Sequence, residues 1–209
     1  MRIDIWSDVV CPWCYLGHHR FSAALEQLPD FEADIAWHAF ELDPRAPRDP
    51  YPVREVYERK YGPDTYESMT NRLVTLGADA GIDFRFDLAQ RANTLDAHRV
   101  IAWSADEPHG QDPVIQRLFR AYFTEGRNIA DTATLAELVG EIGGDGDAVG
   151  ELLASRDYVD DVRADEQQAR EYEITGVPAF VVAERLMIPG AQEVDTMVRV
   201  LVRAQERFN

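Results

Sequence analysis

Residues 7–17 read SDVVCPWCYLG and contain both cysteines of the chain, Cys11 and Cys14. The apolar run at residues 3–6 predicts a short strand just before this stretch. Apolar residues then recur at helical spacing, which predicts a helix after it. Because proline suits the first position of a helix, Pro12 predicts that the helix starts there with Cys11 as its N-cap. The two cysteines are therefore expected at a strand-to-helix turn.

The spacing of the cysteines argues against a purely structural disulfide. Residues three apart at a helix start have Cα atoms about 5–6 Å apart, within disulfide range. Such a bond closes almost no loop and contributes little stability. Cys14 continues the apolar helix face that includes Gly17, so we expect it to be shielded. Cys11 is expected to be exposed at the helix mouth, where the unpaired N–H groups and the helix dipole favour a thiolate.

An exposed, activated thiol beside a shielded thiol suits thiol–disulfide exchange. Cys11 would attack a substrate and Cys14 would resolve the mixed disulfide. A CxxC pair in a β-α-β context favours this redox interpretation over a structural role.

Zinc binding is the alternative role for the pair. Cys11, Cys14 and His18 could supply three ligands, with His19 nearby. Structural zinc sites normally have four protein ligands as two spaced pairs, and the sequence contains no second CxxC or HxxxH. We therefore predict no metal site and keep a zinc-stabilised binding module as a minor alternative. His18 and His19 are expected on a partly exposed helix face.

The chain changes character twice after the cysteines. Residues 35–40 predict a second strand, which completes a β-α-β unit. Residues 43–53 contain four prolines and predict a loop. Helical periodicity then runs through residues 54–156, with Asp64 and Glu67 spaced as a capping box.

The last fifty residues return to mixed structure. A charged helix is predicted at residues 158–172, closed by Gly176 as its C-cap. Residues 178–182 and 186–188 predict a hairpin, and residues 194–202 form a final amphipathic helix. The predicted order is β-α-β, a helical insertion, then α-β-β-α.

Composition limits the partners and the location of the protein. The chain has 209 residues, 45% of them hydrophobic, which predicts a packed globular core. Its 38 acidic and 21 basic residues give a net charge of −17. Nucleic acid and anionic membrane surfaces are therefore not expected as partners, because both require clustered cations. No targeting segment or membrane span is predicted, so we expect a cytoplasmic protein.

Four stretches resemble a known family. They are SDVVCPWCYLG at 7–17, ANTLDAHR at 92–99, TGVPAFVV at 175–182 and IPGAQ at 188–192. With these motifs the chain is similar to the thioredoxin-fold superfamily, and more narrowly to DsbA-like, FrnE-type oxidoreductases, which are grouped with 2-hydroxychromene-2-carboxylate isomerases. The resemblance covers essentially the whole chain.

The resemblance implies an α/β fold class: a thioredoxin fold with a large all-helical insertion between its β-α-β and α-β-β-α halves. The thioredoxin-like domain would comprise residues 1–42 and 157–209. Residues 43–156 would form the helical insertion subdomain.

The resemblance also implies a substrate-binding edge. In this superfamily the residue before a cis-proline faces the CxxC and pairs its backbone with bound peptide. This implies a cis bond at Val177–Pro178, with Val177 in contact with the substrate. Pro12 and Trp13, between the cysteines, would line the same site. Since Trp13 carries no positive charge where classical DsbA has histidine, we expect a less oxidising pair.

Asn93 and His98 are implied to border the active-site groove. His98 also lies on the apolar stripe of its helix, which is typical of a core histidine with satisfied hydrogen bonds. The sequence is compatible with both positions of His98.

Relatives in this superfamily suggest a second function. The isomerases and kappa-class glutathione transferases activate glutathione with a serine near the position of Cys11, and they need no cysteine pair. The presence of both cysteines favours electron exchange. We expect a thiol or disulfide substrate, either protein or small molecule, and no tightly bound cofactor. Glutathione is a candidate co-substrate, and the chain is expected to be a monomer or homodimer.

Overall fold

The computed structural model of the protein describes residues 1–208. Its strands are β1 (Arg2–Ser7), β2 (Asp34–Ala39), β3 (Tyr51–Pro52), β4 (Gln90–Arg91), β5 (Ala179–Val182) and β6 (Leu186–Pro189). The main sheet has the strand order β2-β1-β5-β6, and the short strands β3 and β4 pair outside it.

Nine α-helices lie within the described residues. They are α1 (Pro12–Glu26), α2 (Val53–Tyr61), α3 (Pro63–Asp79), α4 (Leu95–Trp103), α5 (Gln111–Phe123), α6 (Thr132–Glu141), α7 (Gly146–Ala154), α8 (Val159–Glu171) and α9 (Val194–Phe208). A 3-10 turn at Ser104–Asp106 follows α4. Over residues 1–208 no helix is both long and apolar enough to cross a membrane.

Strands from the two ends of the chain pair with each other in the main sheet. Strand β1 runs parallel to β2, and it pairs antiparallel with β5, which continues into β6. The predicted β-α-β and α-β-β-α halves are thus both present, with helices α2–α7 between them.

Side chains alternate across the sheet as strand geometry requires. Ile3 and Ile5 of β1 belong to the large core that also contains residues of α1 and α9. Trp6 points to the opposite face, where it packs with Ala169 and Ile174 at the end of α8. Both faces of the sheet are therefore covered, and the cysteine turn emerges from its centre.

The middle of the chain is less helical than the periodicity predicts. Residues 82–94 contain no helix, and β4 within them pairs with β3. The predicted capping box at Asp64 and Glu67 is also wrong. Helix α3 follows Gly62, whose φ is 85°, and its N-terminus has no side-chain cap. The exact boundaries of the insertion stay a prediction.

The end of α8 differs from the prediction as well. The residue in the left-handed conformation is Glu173, with φ 56°, and Gly176 is not the cap. Ile174 N–H donates to the Ala169 carbonyl at 2.8 Å, and Glu173 N–H donates to the Arg170 carbonyl. These two bonds form a Schellman motif in which buried Ile174 supplies the apolar contact. The burial of Ile174, rather than a glycine, therefore accompanies the end of α8.

A histidine held by two carboxylates joins β1, β2 and α8. His38 Nε2 lies 2.9 Å from Asp4 and its Nδ1 lies 2.7 Å from Asp165. Its ring stacks on Trp6 with centroids 4.5 Å apart. Burial lowers the pKa of His38, but hydrogen bonds and charges from Asp165 and Asp4 outweigh burial and raise it overall. The charged imidazolium is thus favoured in the folded state.

We predict a pH-dependent contribution of His38 to stability. A raised pKa means that the folded state binds the proton more tightly, so the stabilisation is complete below the unfolded value of about 6.5 and is lost as the pH rises through the folded pKa. The difference in free energy of unfolding between wild type and His38→Gln should therefore shrink as the pH rises above about 6.5, measured by urea titration. Asp165→Asn should remove most of the same pH dependence. A constant difference would contradict this assignment.

Candidate active site

The cysteine turn has the backbone that its sequence predicts. Cys11 is the N-cap of α1 with extended backbone angles, φ −91° and ψ 114°, and Pro12 is at the first helical position. The Cys11 carbonyl accepts hydrogen bonds from Cys14 N–H at 3.0 Å and Tyr15 N–H at 3.2 Å. Both cysteines are free thiols.

Burial of the two thiols departs from the prediction for one of them. Cys14 is 1% exposed, as expected, but Cys11 is only 4% exposed, so the expectation of an exposed Cys11 is wrong. The Cys11 Sγ donates to the Val177 carbonyl at 3.6 Å. Burial, followed by the charge of Cys11, raises the pKa of the Tyr57 hydroxyl on α2. The N-terminus of α1 is therefore covered by a segment distant in sequence, the loop that contains Val177.

The environment of Cys14 keeps its proton in place. Burial, followed by the hydrogen bond and charge of Cys11, raises the pKa of the Cys14 thiol well above its usual value. The Ser7 hydroxyl and the Asp8 backbone act in the opposite direction and lower it. Cys14 therefore needs a group to take its proton before it can attack as a thiolate.

Val177 and Pro178 lie against the cysteine turn. The Val177–Pro178 peptide bond is cis, and Pro178 is buried while Val177 is half-buried. A Cβ atom on Gly17 would lie 2.8 Å from Pro178 Cγ and 3.5 Å from Ala191 Cβ. The absence of a side chain at Gly17 is what allows the loop to approach α1 so closely. Sequence reasoning placed Gly17 on the buried face but missed this contact.

Pro12 and Trp13 are both half-buried at the start of α1. The Arg72 guanidinium of α3 lies over the Trp13 ring, 6.0 Å from its centroid. Trp13 therefore packs against the insertion rather than standing free in solvent.

Asn93 and His98 occupy different positions relative to the turn. Asn93 Oδ1 accepts a hydrogen bond from Leu95 N–H at 3.1 Å, which helps to start α4. His98 is buried, and its Nε2 lies 3.3 Å from Asp8 Oδ1. His98 thus reaches the cysteine turn through Asp8, whereas Asn93 N–H donates to the Pro47 carbonyl at 3.0 Å and so ties its loop to the proline-containing loop.

Asp8 is a site residue that sequence reasoning missed. It is fully buried at 0% exposure. Its carbonyl accepts from Cys11 N–H at 3.0 Å, and its Oδ2 accepts from Leu42 N–H at 2.8 Å. The sequence does contain a signal for this role, because Asp8 directly follows a predicted strand and lies three residues before Cys11. Asp8 fixes the turn that carries Cys11.

His18 is not on an exposed helix face, so that expectation is wrong. It is 2% exposed, its Nε2 lies 2.8 Å from Asp112 Oδ1, and its ring stacks on Trp37. Helix α5 covers it, which the local sequence did not reveal. His19 is half-buried, and burial followed by the His18 charge lowers its pKa. Among residues 1–208 no cluster of three metal-ligating side chains is found.

An open cavity of about 280 Å³ lies beside the cysteine turn. It extends from Val10 to helix α2, and its polar lining includes Tyr57, Lys60, Arg91 and Asp43. Arg91 is paired with Asp43. The cavity is large enough to take part of a small ligand or a substrate side chain.

The fold and the paired thiols define a thioredoxin-type protein, and comparison with known proteins agrees. Residues 2–202 match the DsbA-like thioredoxin domain, so the chain belongs to that family. A protein from Streptomyces coelicolor, described as a probable DsbA oxidoreductase, is 32% identical. Its structure superposes with a TM-score of 0.93 over 100% of this chain and 92% of its own. The predicted thioredoxin fold with a helical insertion is confirmed.

More distant structures share the fold. A 2-hydroxychromene-2-carboxylate isomerase has 18% identity and a TM-score of 0.74, over 99% of this chain and 97% of its own. The cytosolic disulfide reductase DsbM from Pseudomonas aeruginosa, solved with GSH, has 17% identity and a TM-score of 0.72, over all of both chains. The resemblance to DsbA-like proteins grouped with these isomerases is confirmed at the level of fold.

We predict selective alkylation of the reduced protein. Iodoacetamide at neutral pH should modify Cys11 slowly and leave Cys14 unmodified, because burial raises the pKa of Cys14 and shields it. Peptide mass mapping would measure this. Cys11→Ser should remain unmodified when folded and become modified in urea. Equal labelling of both cysteines in the folded protein would contradict the assignment.

We predict that Gly17→Ala destabilises the fold. The new methyl group would push against Pro178 and overpack the contact, at a cost of about 1–3 kcal/mol in free energy of unfolding. Gly150→Ala in α7 is the matched control, because a Cβ there meets nothing within 4 Å. That control should stabilise the protein by about 0.5–1 kcal/mol. Urea titration of both variants would decide, and equal effects would show that the close approach is unimportant.

Proposed function

We propose that the chain is a thiol–disulfide oxidoreductase that uses the CPWC pair, with Cys11 as the attacking thiolate and Cys14 as the resolving thiol. The observation that carries this proposal is the arrangement of two free thiols at the start of α1. One is the N-cap beside the Val177 carbonyl, and the other is buried with a raised pKa. A low-exposure pair of this kind suits transient disulfide formation more than structural cross-linking.

The reaction proceeds in two exchanges. The Cys11 thiolate attacks one sulfur of a substrate disulfide, the substrate S–S bond breaks, and the leaving sulfur takes a proton. Cys14 then loses its proton and attacks the Cys11 sulfur, which forms the Cys11–Cys14 disulfide and releases the second substrate thiol. The protein is oxidised by two electrons and the substrate disulfide is reduced. The reverse sequence oxidises a substrate dithiol.

We propose that the substrate binds to the surface around Cys11. Val177 and Pro178 form one wall beside Cys11, and the half-buried Pro12 and Trp13 form the other. An extended substrate segment would pair with the Val177 backbone. His98 would act behind this surface through Asp8, and Asn93 would only support the loop. The substrate is a protein or small-molecule disulfide, with glutathione as a candidate co-substrate and a cytoplasmic location.

A glutathione-dependent isomerase remains the second candidate. The open cavity beside Val10 favours it, because the Lys60 cation in its lining suits a ligand with a carboxylate, whereas Arg91 is already paired with Asp43. This reaction would not require Cys14. The requirement for Cys14 therefore distinguishes the two functions.

The test is trapping of the mixed disulfide. Cys14→Ala should accumulate a disulfide between Cys11 and substrate, because nothing resolves it, and Cys11→Ala should accumulate none. Reduction of insulin or of glutathione disulfide should fall to background in both variants. Non-reducing electrophoresis and intact mass would measure trapping. If both variants keep full activity with glutathione on an aromatic substrate, the isomerase function should replace the one proposed.

A further inference from the structure

A groove lies between the start of β6 and the C-terminal half of α9. It has a volume of about 420 Å³, and its lining includes three arginines, Arg185, Arg203 and Arg207. The disulfide exchange proposed above gives this groove no role.

The path of the chain places the groove at the end of the main sheet away from the cysteines. Strand β5 begins after Pro178, next to the cysteine turn, and runs to Val182. The next residue, Ala183, donates its N–H to the Arg2 carbonyl at the start of β1. Strand β1 has six residues and spans about 20 Å before the chain reaches the turn that carries Cys11. A molecule bound in the groove would therefore leave Cys11 accessible to a different molecule.

The floor of the groove is apolar. Ala204 is buried, and Leu186, Val200 and Phe208 are half-buried beside it. All four side chains belong to the large core or pack against it, so the folded core fixes their positions. Covering the part of this surface that still meets water is favourable.

The three arginines form a cationic rim around this floor. All three are exposed. The guanidinium carbons of Arg185 and Arg207 lie 5.5 Å and 5.6 Å from the centroid of the Phe208 ring, so one ring holds two like charges. Arg203 and Arg207 are four residues apart on α9 and therefore lie on the same helix face.

The rim has no counter-charge within the part of the chain that the structure describes. Among residues 1–208 none of the three arginines forms an ion pair, and no acidic side chain lines the groove. The chain has 38 acidic and 21 basic residues, and Arg117, for example, pairs with both Glu125 and Glu141. Like charges held together repel each other unless an anion lies between them. The groove therefore presents a concentrated positive charge above an apolar floor.

We propose that this groove binds an acidic peptide segment of a partner protein, in which carboxylates alternate with apolar side chains. Carboxylates form charge-assisted hydrogen bonds with the guanidinium groups of the rim. The apolar side chains cover Leu186, Val200 and Phe208. Successive side chains of an extended peptide point to opposite sides, so apolar groups reach the floor while carboxylates stay level with the rim.

The spacing of the arginines fits an extended peptide. Four residues of helix separate Arg203 from Arg207 by about 6 Å along the axis of α9. Alternate residues of an extended chain are about 6.6 Å apart, so two successive carboxylates match the two guanidinium groups. An anionic membrane fits less well, because a flat surface would also face the rest of a chain with net charge −17. A peptide contacts the groove alone.

The test is fluorescence anisotropy of labelled octapeptides titrated with the full chain. The probe is a peptide of alternating aspartate and leucine, and the comparison peptides alternate aspartate with glycine and lysine with leucine. The Asp-Leu peptide should bind. The Asp-Gly peptide should bind at least about tenfold more weakly, because it lacks the buried apolar groups, and the Lys-Leu peptide should not bind.

Substitutions in the rim should weaken binding of the Asp-Leu peptide. Arg203→Gln should weaken it by about fivefold, the upper range for an exposed ion pair, and the double variant Arg203→Gln/Arg207→Gln by at least about tenfold. Arg199→Gln is the matched control. Arg199 is exposed on the same helix, lies outside the groove and donates to the Thr196 hydroxyl, so its affinity should match wild type.

Four results would overturn the proposal. They are no binding of the Asp-Leu peptide by wild type, equal binding of the Asp-Gly peptide, equal affinity loss in Arg199→Gln and Arg203→Gln, and binding to phosphatidylserine vesicles in place of the peptide. The assay involves no disulfide, so each of these results would leave the proposed exchange reaction standing.

Discussion

The contact between Gly17 and Pro178 sets the geometry of the cysteine turn. Because no side chain stands at Gly17, the loop before β5 rests directly on α1, and a Cβ atom would come within 2.8 Å of Pro178. That approach brings the Val177 carbonyl to 3.6 Å from the Cys11 sulfur. The Cys11 sulfur and the Val177 carbonyl are thus held relative to each other by a packing contact between the two ends of the chain.

A second constraint comes from below the turn. Asp8 accepts from Cys11 N–H and from Leu42 N–H, so a buried carboxylate joins the end of β1 to the chain after β2. Burying a charge without partners is unfavourable, and His98 supplies the remaining partner. On one side of Cys11, the loop before β5 packs sterically on α1 and the Val177 carbonyl accepts a hydrogen bond from the Cys11 Sγ. On the other side, Asp8 supports the turn through hydrogen bonds alone.

Local sequence patterns predicted those features that depend on local geometry. Pro12 marked the start of α1, and the hairpin of β5 and β6 followed from its apolar runs and turn residues. The errors concern contacts between distant segments. Cys11 is covered by Val177, 166 residues away, and His18 is buried by α5 through Asp112. No pattern within a single helix or strand contains this information.

Access to Cys11 is the remaining physical question that the burial raises. A thiol that is 4% exposed cannot meet a disulfide unless something near it moves. Helix α2, which carries Tyr57, contains no fully buried residue, whereas α1 and α4 each contain six or more. Displacing α2 therefore exposes less apolar surface than displacing the other helices at the site. Helix α2 is thus the least firmly packed helix of the insertion, whereas hydrogen bonds and packing hold Cys11, the Val177 carbonyl and Asp8 in place.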